Sequence, residues 1–136
     1  MKKIWIVFAV LLCCGACRKA DIADKPGVSL PPVTNLALTA KDAGHVTLSW
    51  QIPTAIPTEI QQPLSVSVEV TQIVSAMKTI SLSTELLPGA PVTYEYTLPD
   101  AAATYHFTVK LVGNTKKVDV NYSGTVYSPG ETVANK

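Results

Sequence analysis

Few residues of this chain are of types that do chemistry, and their spacing decides what they can do. The histidines are His45 and His106. A metal site or a hydrolytic triad needs partners beside them, and neither has a histidine, cysteine or carboxylate at ligand spacing. Both read as solvated side chains, one in a turn and one on the outward face of a strand. Carboxylate pairs that cleave glycosides face each other across a cleft. Here Glu69, Glu95 and Asp119 fall at outward strand positions, and Glu85 and Asp100 fall in turns. The sequence contains no G-x-S-x-G, no phosphate-cradling glycine loop and no D-x-D-x-D-G calcium loop. The expectation is a chain that is not an enzyme and has no cofactor and no metal.

Thiol chemistry is confined to one end. All 3 cysteines, Cys13, Cys14 and Cys17, lie in MKKIWIVFAVLLCCGAC. Lys2 and Lys3 form a positive start, Ile4 to Leu12 an uninterrupted apolar run, and small residues come next, as in a secretory signal. A span needs about 20 apolar residues, and this run meets Arg18 and Lys19 well before that length. Cys14-Gly15-Ala16-Cys17 resembles a bacterial lipobox. That resemblance implies cleavage before Cys17 and a diacylglyceryl group on its sulfur. Cys14 departs from the usual aliphatic residue three before the acceptor, which leaves Cys13 or Cys14 as weaker alternatives. With every cysteine in the leader, a disulfide framework, a thiolate catalyst and a zinc–cysteine site are excluded from the rest.

Composition limits the remainder of the chain. Charged residues are 15% of the 136, against about 25% in typical soluble domains, and the abundance of Val, Thr, Ser and Ile favours strands. Without Lys2 and Lys3, nine Lys and Arg stand against ten Asp and Glu. Such a chain has no basic field for counterion release, so no nucleic-acid partner is expected. Residues 1–16 read as the signal peptide and 17–30 as a polar tether ending at Pro31-Pro32. About 100 residues remain, enough for one two-layer core.

Those residues alternate with a period of two, which places successive side chains on opposite faces. The predicted strands are Asn35–Ala40, Val46–Ile52, Leu64–Val70, Lys78–Ser83, Val92–Leu98, Tyr105–Leu111 and Val118–Tyr127. Expected inward residues include Leu36, Leu38, Trp50, Val66, Val68, Ile80, Leu82, Tyr94, Tyr105, Phe107, Val118 and Val120. Gly124 is expected to mark a bulge or a close backbone approach. The 10 prolines avoid the strand interiors, as the missing amide donor requires. Seven short alternating strands predict an all-β antiparallel sandwich over 31–128, with a tail at 129–136.

Trp50-Gln51-Ile52-Pro53, preceded by Leu36 and Leu38, resembles the first two strands of a fibronectin type III module. Tyr105-x-Phe107-x-Val109-x-Leu111 resembles that family's sixth strand. The resemblance implies that the Tyr105 hydroxyl bonds back across a corner starting at Leu98-Pro99. Leu98 stands one residue farther from the tyrosine than usual. Lipobox and module together resemble small lipoproteins of Bacteroidetes, which implies a location in the cell envelope and a fold, but no activity. By resemblance to Gram-negative sorting, Arg18 after the cysteine implies the outer membrane, with the leaflet left open.

The links Pro53–Pro63, Glu85–Pro91 and Gly113–Lys117 should gather at one end of such a sandwich. They carry Ile56, Ile60, Leu86, Leu87, Lys116 and Lys117, the candidate binding residues, because loops on a rigid scaffold commonly hold function. The alternative is that the apolar ones cap the core. The expected role is a non-catalytic, membrane-tethered binding or spacer module meeting a protein or glycan partner. Its rivals are a structural subunit pairing through the edge strand Asn35–Ala40, and a carbohydrate-handling accessory protein.

Overall fold

The computed structural model describes residues 27–118, 120 and 123–136. The leader and Cys17 therefore lie outside the described residues. Eight strands run in chain order: β1 Thr34–Ala40, β2 His45–Gln51, β3 Ser65–Ser75, β4 Lys78–Leu87, β5 Thr93–Thr97, β6 Thr104–Asn114, β7 Thr125–Tyr127 and β8 Glu131–Ala134. One sheet has the order β1-β2-β5; the other runs β4-β3-β6-β7, with β8 also on β6, and all pairings are antiparallel. The predicted β-sandwich is the observed fold.

Alternation explains the core. Val46, Leu48 and Trp50 of β2 face Val66, Val68 and Val70 of β3 and Tyr105, Phe107, Val109 and Leu111 of β6, and all are buried. Burying each such side chain is worth about 1.5–3 kcal/mol. The Tyr96 and Phe107 rings meet edge to face at 5.6 Å between centroids, a preferred aromatic geometry. At the corner before β6, the Tyr105 hydroxyl accepts the Asp100 backbone N–H at 3.0 Å. This is the bond that the resemblance implied, formed despite the longer Leu98–Tyr105 spacing.

Four expectations are corrected. The last strand does not begin at Val118: Val118 and Val120 are exposed, and β7 starts only at Thr125. The segment 129–136 is not a tail, because β8 pairs Glu131 to Ala134 with Val109 to His106. β7 and β8 are two pieces of one edge, broken at Ser128-Pro129-Gly130. The Ser128 hydroxyl accepts the Leu111 N–H at 2.8 Å, and a Cβ on Gly130 would sit 2.7 Å from Thr108. The bulge lies there and not at Gly124, whose carbonyl instead meets the Thr115 N–H at 2.8 Å in a close backbone approach. Finally, Leu30, assigned to the tether, is fully buried, and Val33 beside it is too. An apolar side chain between Ser29 and Pro31 gains more from the core than from water.

β4 also differs from its prediction. It extends to Leu87, and Leu82 is an extra residue opposite the Val70–Thr71 step of β3. Alternation puts Ile80 and Leu82 inside, yet both are partly solvent-exposed, at 40% and 38%. Strand β4 ends the five-stranded sheet, so its outer half overhangs the three-stranded one.

Candidate functional site

The three predicted links do converge. The Gln61 N–H donates to the Asn114 carbonyl, Lys116 N–H to Glu59 and Ala90 N–H to Leu64, each at 2.8 Å. The Trp50 indole N–H donates to the Pro91 carbonyl at 2.9 Å. One end of the sandwich is thus knitted from sequence-distant backbone. The excursion after β6 is closed by Thr115 N–H on the Gly124 carbonyl at 2.8 Å.

The candidate binding residues do not form one surface there. Ile60 is 1% exposed and belongs to the core, a correction with a clear cause. It bridges to Thr115 and fills the space left by Gly113, where a Cβ would lie 2.6 Å from Ile60 Cγ2. Ile56 and Leu87 are partly buried against the core. Leu86 is exposed but sits on β4 with Leu87, not in a loop, and Glu85 likewise lies on the strand rather than in a turn. Lys116 and Lys117 are exposed beyond the Ile60–Thr115 bridge. Beside them stand Val118 and Val120, 87% and 97% exposed. Sequence reasoning missed that pair because alternation placed them on a strand; the preceding Lys116-Lys117 was the available signal for a loop.

The opposite end holds the titratable cluster. His45 Nδ1 lies 2.8 and 2.9 Å from the two Asp42 carboxylate oxygens, so His45 does have a carboxylate partner, contrary to expectation. The Gly44 N–H donates to Asp42 Oδ1 at 2.8 Å. That bond, then His45, holds the Asp42 carboxyl below its usual value. Lys41 pairs with Glu95. These are exposed side chains of a turn, and among the described residues no group of three or more His, Cys, Asp or Glu could hold a metal ion. On the open side, burial and then the Glu85 side chain push the Tyr94 hydroxyl well above its ordinary pKa. His106 is exposed on β6.

The remaining uncovered surface is β4. Ile80 and Leu82, with Val74 and Met77 at the β3–β4 tip, are exposed apolar residues on a strand that pairs on one side only, and Leu86, opposite Ser67, is exposed on the other face. Between Lys78 and Glu85 the strand carries no charge. β1, the edge expected to pair, is interrupted: its register shifts between Thr34 and Ala37, and Asn35 has φ 52°.

Comparison with known proteins agrees with this architecture. Residues 17–135 match the family described as "Domain of unknown function (DUF4945)". No curated protein matches the chain. Among solved structures, the third fibronectin III domain of the human KIAA0343 protein is 13% identical with a TM-score of 0.52, covering 85% of this chain and 91% of that one. A redesigned β-sandwich protein is 18% identical with a TM-score of 0.50, covering 77% and 87%. At these identities the likeness is one of fold, and the fold is that of a fibronectin type III domain.

Proposed function

The chain belongs to the DUF4945 family, and on that footing we propose that it is a non-catalytic module tethered to a bacterial envelope membrane through lipid on Cys17. Its role is to hold a small sandwich at the membrane as a binding or spacer element. The carrying observation is the order of parts: a charged start, an apolar run and Gly15-Ala16-Cys17, then a rigid β-sandwich. The family match begins at the same Cys17, which supports reading the residues before it as a removable leader. The outer membrane is the favoured address because Arg18, not an aspartate, stands after the cysteine. Replacing Cys17 by serine, or treating cells with globomycin, should leave an unprocessed precursor without lipid label. Normal processing and membrane retention of Cys17→Ser would overturn the reading.

A second reading is a structural subunit paired through a sheet edge. The observation favouring it is β4, whose free edge is long and uncharged between Lys78 and Glu85; unpaired edge groups of this kind template another strand. Sedimentation over a wide concentration range separates the two, since edge pairing makes the mass rise with concentration.

A further inference from the structure

We infer that the loop end of the sandwich faces the bilayer, with Val118 and Val120 against its headgroup layer. This rests on the lipid anchor proposed above. The chain enters the domain at that end. Val28 packs on the core, Leu30 is fully buried, and a Cβ on Gly113 would lie 3.3 Å from Leu30 Cδ1. β1 then starts opposite the end of β2, at Thr34↔Gln51, and runs away toward Ala40↔Val46. Leu30, the first fully buried residue, therefore lies beside Gly113 and the Ile60–Thr115 bridge, after which the exposed Lys116, Lys117, Val118 and Val120 follow.

Length makes that placement matter. Ten residues, Arg18 to Gly27, separate the acceptor cysteine from Val28, the first residue packed on the core. A flexible spacer of that length would average about 17 Å end to end. The sandwich is longer: the 11 residues of β6 span about 35 Å at the rise of a strand. The tethered end is thus held near the surface and the Asp42–His45 end is held away from it. Nearly bare valines flanked by lysine stems suit a headgroup layer, where apolar groups sink and ammonium groups reach phosphate. Glu59 and, in sequence, Asp119 offset Lys116 and Lys117, so the contact does not require anionic lipid. The loop end is then a membrane-facing surface, and any soluble partner meets the opposite end or β4.

The test uses the mature lipidated chain in phosphatidylcholine vesicles containing headgroup nitroxide lipid. With Cys17 acylated and Cys13 and Cys14 removed with the leader, a single thiol can be introduced and labelled. Thr58→Cys marks the loop end; Met77→Cys, at a site 98% exposed, marks the other. Fluorophore quenching should be several-fold stronger at position 58 than at 77. Val118→Asp with Val120→Asp should reduce the quenching at 58 at least twofold while the chain stays vesicle-bound. Equal quenching at both ends of a bound chain, or no effect of the valine changes, overturns the inference and leaves the anchor standing. A chain that carries no lipid and does not bind vesicles overturns both.

Discussion

Gly113 and Ile60 are complementary: a Cβ at 113 would come within 2.6 Å of Ile60 Cγ2, closer than real contacts allow, and within 3.0 Å of Leu64. Both neighbours are buried, so neither can swing away into water. Gly113→Ala should destabilise the domain by about 1–3 kcal/mol through overpacking, measured by urea unfolding. Ile60→Ala removes the opposing Cγ2 and should therefore cost less in the Gly113→Ala chain than in the parent, a coupling that a double-mutant cycle reads directly.

Two candidate binding residues make opposite predictions. Ile60→Asp puts an unpaired carboxylate in the core at a cost of several kcal/mol, a large share of the roughly 5–15 kcal/mol that holds a domain together. Leu86→Asp, on the exposed outer face of β4, should change the melting temperature little. Calorimetry of the two variants side by side checks this. Comparable losses would mean that Leu86 is covered in solution.

Trp50 is buried and also hydrogen-bonded to Pro91. Trp50→Ala should cost about 3–5 kcal/mol from lost transfer energy and the cavity. Trp50→Phe keeps most of the ring volume but leaves the Pro91 carbonyl without its donor. It should cost less, about 1–3 kcal/mol, as read from chemical denaturation of both variants.

The Asp42 turn should respond to acid. Its carboxyl is held below the ordinary 3.8 by the Gly44 N–H first and His45 next. A depressed carboxylate contributes stability above its unfolded pKa and loses it as pH falls through the folded one. The Gly44 amide resonance should therefore titrate with a midpoint below 3.8, and Asp42→Asn should remove that transition. A midpoint no lower than the ordinary value would mean the turn does not hold in solution.

Much of the fold was legible because burial on a strand imposes a period of two, which β2 obeys throughout, β3 as far as Val70 and β6 as far as Leu111. The tyrosine of β6 was legible as well, since its hydroxyl must bond once its ring is buried. What misled was the assumption that alternation implies a covered face. Ile80 and Leu82 alternate in sequence, but they lie on an edge strand whose register slips at Leu82 and both stay partly exposed; Val118 and Val120 alternate in a connection. Whether a face is covered depends on sheet order, which no local pattern encodes. The candidate site failed for a related reason: Ile60 lies in a link by sequence but plugs a space created by Gly113, more than fifty positions away.

The break at Ser128-Pro129-Gly130 gives the sandwich a valence. It leaves β7 and β8 as strips of 3 and 4 residues, and β1 nearby is interrupted at Asn35. Neither can template a long added strand. β5, with 5 residues and Glu95 at its centre, is little better. Among the edges of the described residues only β4 offers 10. An open-ended polymer needs two such faces on every unit, one for each neighbour. Copies joined through β4 alone would therefore close as pairs and would not extend into a fibre, however densely they are packed at a surface.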